Sequence, residues 1–159
     1  MQKNSNRNTS AFRAYMEVPK HAIEAFNAAQ DGTLPPDTPV EYIDLEGIPY
    51  MDPNENVACL AGDRLIVFTE RRTADSPNLP LRMFLCVGRL YGKLLEKHTR
   101  CNALELPAPA FIACCGSNAP LPENCQMKLS SAIVGDSSAV ELCVRFIRAD
   151  YDTGEEVNA

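Results

Sequence analysis

Two apolar runs lie back to back in "NVACLAGDRLIVFTE", joined by Gly62 and Asp63, and they limit this chain to few folds. Each run has strand length and is bounded by turn residues. Gly at the first turn position suits a type II′ turn, so the segment reads as a β-hairpin. Both strands are apolar almost throughout, which fits a hairpin buried in a sheet covered by helices. The second run continues as "RLIVFTERR", so it leaves the core through Glu70, Arg71 and Arg72.

The flanking patterns supply that cover. A helical pattern runs from Pro19 to about Gln30, with Pro19 suited to a first turn and Gly32 to a stop. The proline-rich loop after it has room for one short strand near Val40 to Leu45. A longer helix is expected from Pro80 to about Lys97, capped by Ser76 or Asn78. "APAFIACC" reads as a buried strand ending at Gly116. "QMKLSSAI" and "AVELCVRFIRA" add one or two more strands, the latter alternating Val140, Leu142, Val144 and Phe146 with Glu141 and Arg145. The expected class is α/β, an α+β mixed sheet in a single domain.

A chain of 159 residues, 45% hydrophobic, can bury one core and is too short for two. It has no apolar run of membrane-spanning length, and "MQKNSNRNTS" lacks the apolar segment of a secretory signal, so a cytoplasmic protein without a membrane partner is expected. Seven cysteines form neither a CxxC pair nor a zinc-spaced set with histidine, and most sit in apolar runs, as buried free thiols do. The net charge of −6 is unevenly sorted: eight of the fifteen Lys and Arg residues fall between Arg64 and Arg100, with only Glu70, Asp75 and Glu96 against them. That sorting makes a basic face on an acidic chain.

Placed at 100° per residue, the long helix puts Phe84, Val87, Leu90, Tyr91, Leu94 and Leu95 on one side. Arg82, Arg89, Lys93 and Lys97 fall on the other. Such a stripe is either an ordinary solvated face or a row of phosphate contacts along a nucleic-acid backbone.

Glu70 and Arg72, two apart on a strand, leave the same face. An acid and a base there can hold a divalent metal and a scissile phosphate, provided the preceding strand adds a second carboxylate. A two-residue turn at Gly62-Asp63 sets Glu55 across from Glu70, whereas a three-residue loop sets Asn56 there. Without a second carboxylate, a surface ion pair is the plain reading. His21 and His98 have no nucleophile motif beside them, "CCGS" lacks a paired histidine, and no phosphate-binding glycine pattern occurs.

Five phrases, "FRAYMEVPKHAIEAFNAAQDGT", "LEGIPYMDPNENVACLAGDRLIVFTERRT", "SPNLPLRMFLCVGRLYGKLLEK", "LPAPAFIACCG" and "MKLSSAIVGDSSAVELCVRFIRADY", together resemble the recombination-promoting nuclease (Rpn)/transposase-like branch of the PD-(D/E)XK nuclease superfamily. The likeness spans residues 12–151, leaving 1–11 and 152–159 as tails. It implies a restriction-endonuclease-like αβββαβ core that cuts DNA with Mg²⁺. The acid of the acid-x-base element falls on Glu70, its third position on Arg72, and the first acid on Asn56, where the family has Asp. An amide brings no charge to a metal, and Arg holds phosphate without giving up a proton. Glu55 replaces the lost acid only in the two-residue register. The resemblance thus implies a DNA endonuclease with Glu70 and Glu55 as metal ligands and Arg71, Arg82, Arg89 and Lys93 facing DNA. The competing expectation is a catalytically silent module that binds DNA, a second copy or a full-length nuclease.

Overall fold

The computed structural model describes residues 10–29, 34–71, 78–96, 105–116, 118, 120–135 and 139–148. Gln30, Gly32, Arg72, Asp75, Ser76, Lys97, His98 and Arg100, named above, lie outside these residues, as do Cys101 and most of the expected tails.

Six strands form one mixed sheet in the order β1-β2-β3-β4-β6-β5. They are β1 (Val40–Ile43), β2 (Asn56–Ala61), β3 (Arg64–Arg71), β4 (Ala108–Cys115), β5 (Gln126–Lys128) and β6 (Cys143–Arg148). β1, β2 and β3 run antiparallel in sequence, β3 pairs β4 in parallel, β4 pairs β6 in parallel, and β5 closes the far edge antiparallel to β6. The α/β class expected from the sequence is, among the described residues, a six-stranded mixed sheet with three α-helices: α1 (Ala11–Met16), α2 (Pro19–Ala29) and α3 (Leu79–Glu96).

β3 is central, with β2 on one side and β4 on the other, which is why "LIVF", Leu65 to Phe68, is apolar at every position. Its side chains divide between two cores by strict alternation. Ile66 and Phe68 pack with Val57, Cys59, Ile112 and Cys114 against Phe12, Met16, Ile23 and Phe26 of α1 and α2. Leu65 and Val67 pack with Ala58, Phe111, Ala113, Val144 and Phe146 against Met83, Cys86 and Leu90 of α3. The sheet is thus sandwiched, and a residue's parity on β3 decides which helical layer it meets.

The hairpin turn is the two-residue one. Ala61 pairs with Arg64 and Asn56 with Thr69, leaving Gly62 and Asp63 as the loop. Gly62 has φ +59°, and a Cβ there would stand 3.2 Å from Leu34 Cδ2, so both the backbone and the space favour glycine.

Two expectations are corrected. A short helix, α1, precedes the one expected at Pro19; Ser10 caps it by accepting from the Arg13 N–H at 3.0 Å. The packed face of α3 is Leu79, Met83, Cys86 and Leu90, with the expected Val87 and Tyr91 half-buried beside it, while Phe84, expected on that face, is 39% exposed and Leu81 and Leu85 slightly more. α3 is apolar around much of its circumference, and the sheet takes the stripe at 79, 83, 86 and 90 flanked by 87 and 91, which leaves out Phe84. No helix among the described residues is long and apolar enough to cross a membrane. The described cysteines are free; Cys59, Cys86, Cys114 and Cys115 are buried, as expected, while Cys125 is exposed.

Candidate active site

The two-residue turn decides the neighbour of Glu70. Its backbone N–H donates to the carbonyl of Glu55 at 2.9 Å, so the ladder of β2 and β3 extends one pair beyond Asn56 and Thr69. Glu55 thus stands next to Glu70 across this one bond, and the ladder ends there, because the Glu55 N–H donates to the Asp52 carbonyl. By alternation Glu70 continues the series of Ile66 and Phe68 onto the sheet face that α1 and α2 cover, and Glu55 immediately precedes β2 in the turn. Glu70 is half-buried and Glu55 exposed, at the end of the sheet where the hairpin strands leave the core.

Asn56 belongs to the other face. It is 1% exposed, and it follows the parity of Ala58, whose neighbours are Leu65, Val67 and the α3 side chains. The first acid of the resemblance, carried onto Asn56, therefore does not meet Glu70: a one-residue offset on a strand turns a side chain through the sheet.

What Asn56 does is build the turn that delivers Glu55. The Asp52 carbonyl accepts three hydrogen bonds, from the Glu55 N–H at 2.9 Å, the Asn56 N–H at 2.8 Å and Asn56 Nδ2 at 3.1 Å. The Asp52 carboxylate accepts from the Asn54 N–H at 2.9 Å, a local turn typical of Asp followed by Pro and Asn. α1 clamps the same turn from outside: Ser10 Oγ donates to the Asn54 carbonyl at 2.7 Å, and Arg13 Nη1 to the Pro53 carbonyl at 2.6 Å. Sequence reasoning passed over Ser10, Arg13 and Asp52. The signal was present in "MDPNEN", whose Asp-Pro-Asn run is turn chemistry directly before the strand.

The cations divide. Arg71 follows Leu65, Val67 and Thr69 onto the α3 face, is 9% exposed, and holds its guanidinium 5.0 Å from the centre of the Phe146 ring. It is packed and is not presented to solvent as a phosphate contact would be. Arg82 and Lys93 are half-buried, and Lys93 Nζ donates to the Asp44 carbonyl; Arg89 is exposed. All of α3 lies across the sheet from Glu55 and Glu70, so the helix stripe and the carboxylates do not form one surface.

Burial pushes the Cys59 thiol up to about 12 and raises those of Cys86 and Cys115, the last against the lowering influence of Arg71 and Arg148. Burial also raises Tyr42, with the neighbouring Cys59 and Glu17 adding to it, and its hydroxyl donates to the Met16 carbonyl at 2.6 Å. These groups are held neutral and offer no nucleophile at ordinary pH.

Compared with known proteins, no family model matches the chain, and no curated protein or solved structure shows significant similarity to it.

Proposed function

We propose that this chain is a PD-(D/E)XK-type nuclease domain of the recombination-promoting nuclease/transposase-like kind, hydrolysing DNA phosphodiesters with Mg²⁺ at the Glu55–Glu70 end of the central hairpin. The observation that carries this reading is the hydrogen bond from the Glu70 N–H to the Glu55 carbonyl, which pairs two carboxylate residues across adjacent strands. The element order α2-β1-β2-β3-α3-β4, with β1 to β4 adjacent in that order, supports the αβββαβ core that the resemblance implies.

Among the described residues no group of three or more His, Cys, Asp or Glu is placed to hold a metal, so these residues offer a pair at most. A pair suits Mg²⁺, which takes one or two carboxylates and completes its shell with water and substrate phosphate. In this reading Glu55 and Glu70 hold the cation, which when bound polarises the phosphodiester. The α1 clamp on residues 53 and 54 fixes Glu55, so little reorganisation is needed as substrate arrives. Arg72 is assigned to phosphate charge, a role its permanent protonation suits, and not to proton transfer.

The second reading, a silent module that binds DNA or a full-length nuclease, is favoured by the exposed Arg89 on the α3 side of the sheet, away from the carboxylates. Supercoiled plasmid with Mg²⁺ or Mn²⁺ separates the two. Nicking lost in both Glu55→Gln and Glu70→Gln supports the nuclease; nicking that survives Glu70→Gln overturns the assigned site; salt-sensitive binding without nicking supports the silent module.

A further inference from the structure

α3 carries a second apolar stripe on the side away from the sheet. At 100° per residue, Leu81, Phe84, Leu85, Gly88, Gly92 and Leu95 fall in a sector about 100° wide that holds no charge. Arg82, Arg89, Lys93 and Glu96 all lie to one side of it. Leu81, Phe84 and Leu85 are exposed. Leu81, Leu85, Gly88, Gly92 and Leu95 alternate spacings of four and three, which is the seam of a coiled coil. A helix that is apolar on both sides is normally covered on both.

The two glycines say what cover fits. Glycine weakens a helix interior relative to alanine, and a Cβ at Gly88 or Gly92 would meet no atom within 4 Å, so packing among the described residues asks for neither. They leave a hollow beside the ridge of Leu81 and Leu85. Ridge and hollow match when a second α3 runs antiparallel about a two-fold axis level with Cys86 and Val87. Leu81 then stands over Gly92 of the other copy and Leu85 over its Gly88, each contact made twice. Like flank meets like flank in this pairing, so Arg82 comes near Arg89 of the other copy. The loop bearing Tyr50 packs on the same flank, through Cys86 Sγ on the Pro49 carbonyl at 3.3 Å and Lys93 Nζ on the Asp44 carbonyl. Tyr50 is 61% exposed and offers those arginines an aromatic face.

We infer that this stripe is the contact between two copies of the chain, paired antiparallel through α3, with the leucines of each seated on the glycines of the other. Residues 81–92 span about 18 Å at 1.5 Å per residue, and a helix face is about 10 Å wide. The contact therefore covers a few hundred Å² per copy, below the about 800 Å² of a standard stable interface, so the pair is weak and forms with concentration. It does not depend on the hydrolytic reading, because α3 lies across the sheet from Glu70.

Sedimentation velocity on the full chain from about 5 to 500 µM tests it, with nuclear magnetic resonance spectra over the same range. Expected are a monomer–dimer equilibrium and concentration-dependent amide shifts centred on residues 81–92. Leu85→Glu should weaken the association at least about tenfold. Gly88→Ala separates contact from folding: it should raise the melting temperature of the dilute monomer, yet weaken the pair at least about threefold by holding the helices apart. Raising salt from about 0.05 to 0.5 M should tighten the pair by screening Arg82 from Arg89, the reverse of its effect on nucleic-acid contact. A protein that stays monomeric throughout overturns the inference, as does association that is indifferent to Leu85→Glu, unweakened by Gly88→Ala or loosened by salt. Overhauser contacts to Phe84 from residues 149–159 of the same chain in dilute solution would give the stripe to the chain's own end and overturn it too.

Discussion

Glu55 and Glu70 are joined by a backbone hydrogen bond of 2.9 Å at the end of the central hairpin, so two acids with like charge sit directly across a strand pair. Like charges in that position destabilise a sheet, by roughly 0.2–1 kcal/mol. In metal-free buffer Glu55→Gln is therefore expected to raise the melting temperature slightly. Added Mg²⁺ should stabilise the wild type more than the variant. Melting curves with chelator and with Mg²⁺ check both halves of this, and equal shifts in the two proteins would separate the pair from any metal.

The turn that creates this pairing rests on Gly62. With φ at +59° and Leu34 Cδ2 3.2 Å from where a Cβ would stand, Gly62→Ala should cost about 1–2 kcal/mol. Denaturant unfolding measures it. A neutral Gly62→Ala would mean that the turn relaxes freely.

The face that α3 presents is tested by two truncations. Leu90 is fully buried against the sheet, so Leu90→Ala should lose about 2–5 kcal/mol. Phe84→Ala should lose less than about 1 kcal/mol, since Phe84 is exposed and stands off the core. The helical wheel alone ranks the two as equals, and equal losses would restore that reading.

Alkaline pH is expected to unfold the protein through its buried thiols. Burial raises the Cys59 thiol from 9.0 to about 12, so the unfolded chain deprotonates first. The stability held by the neutral thiol is complete below pH 9.0 and is lost as pH rises toward about 12. Cys86, Cys115, Tyr42 and Tyr91 are raised too and act with the same sign. Melting temperatures from pH 7 to 11 in reductant should be flat and then fall, less steeply in Cys59→Ala. An unchanged slope in that variant would remove Cys59 from the account.

Much of the sheet was legible because its strands are short, apolar and punctuated: Gly62 and Asp63, Gly116, and Pro107 before β4 mark the ends the structure shows. The choice between Glu55 and Asn56 was not legible, because one residue more or less in a turn exchanges the two faces of a strand. α3 misled for a related reason. With apolar residues on most sides, its sequence does not say which side the sheet will take. Arg71 read as a surface cation because it stands between Glu70 and Arg72, whereas its parity sends it across the sheet to the Phe146 ring. The α1 clamp depends on Ser10 and Arg13 reaching carbonyls forty or more positions away, and no local pattern announces such contacts.

The central claim is that Glu55, and not Asn56, partners Glu70 in holding a divalent cation. Mn²⁺ binding followed by electron paramagnetic resonance, in the wild type, Glu55→Gln and Asn56→Asp, addresses it most directly. The account predicts binding that weakens at least about tenfold in Glu55→Gln, the loss of one of two carboxylate ligands, and that does not tighten in Asn56→Asp. Binding that is indifferent to Glu55→Gln and strengthened by Asn56→Asp would contradict it.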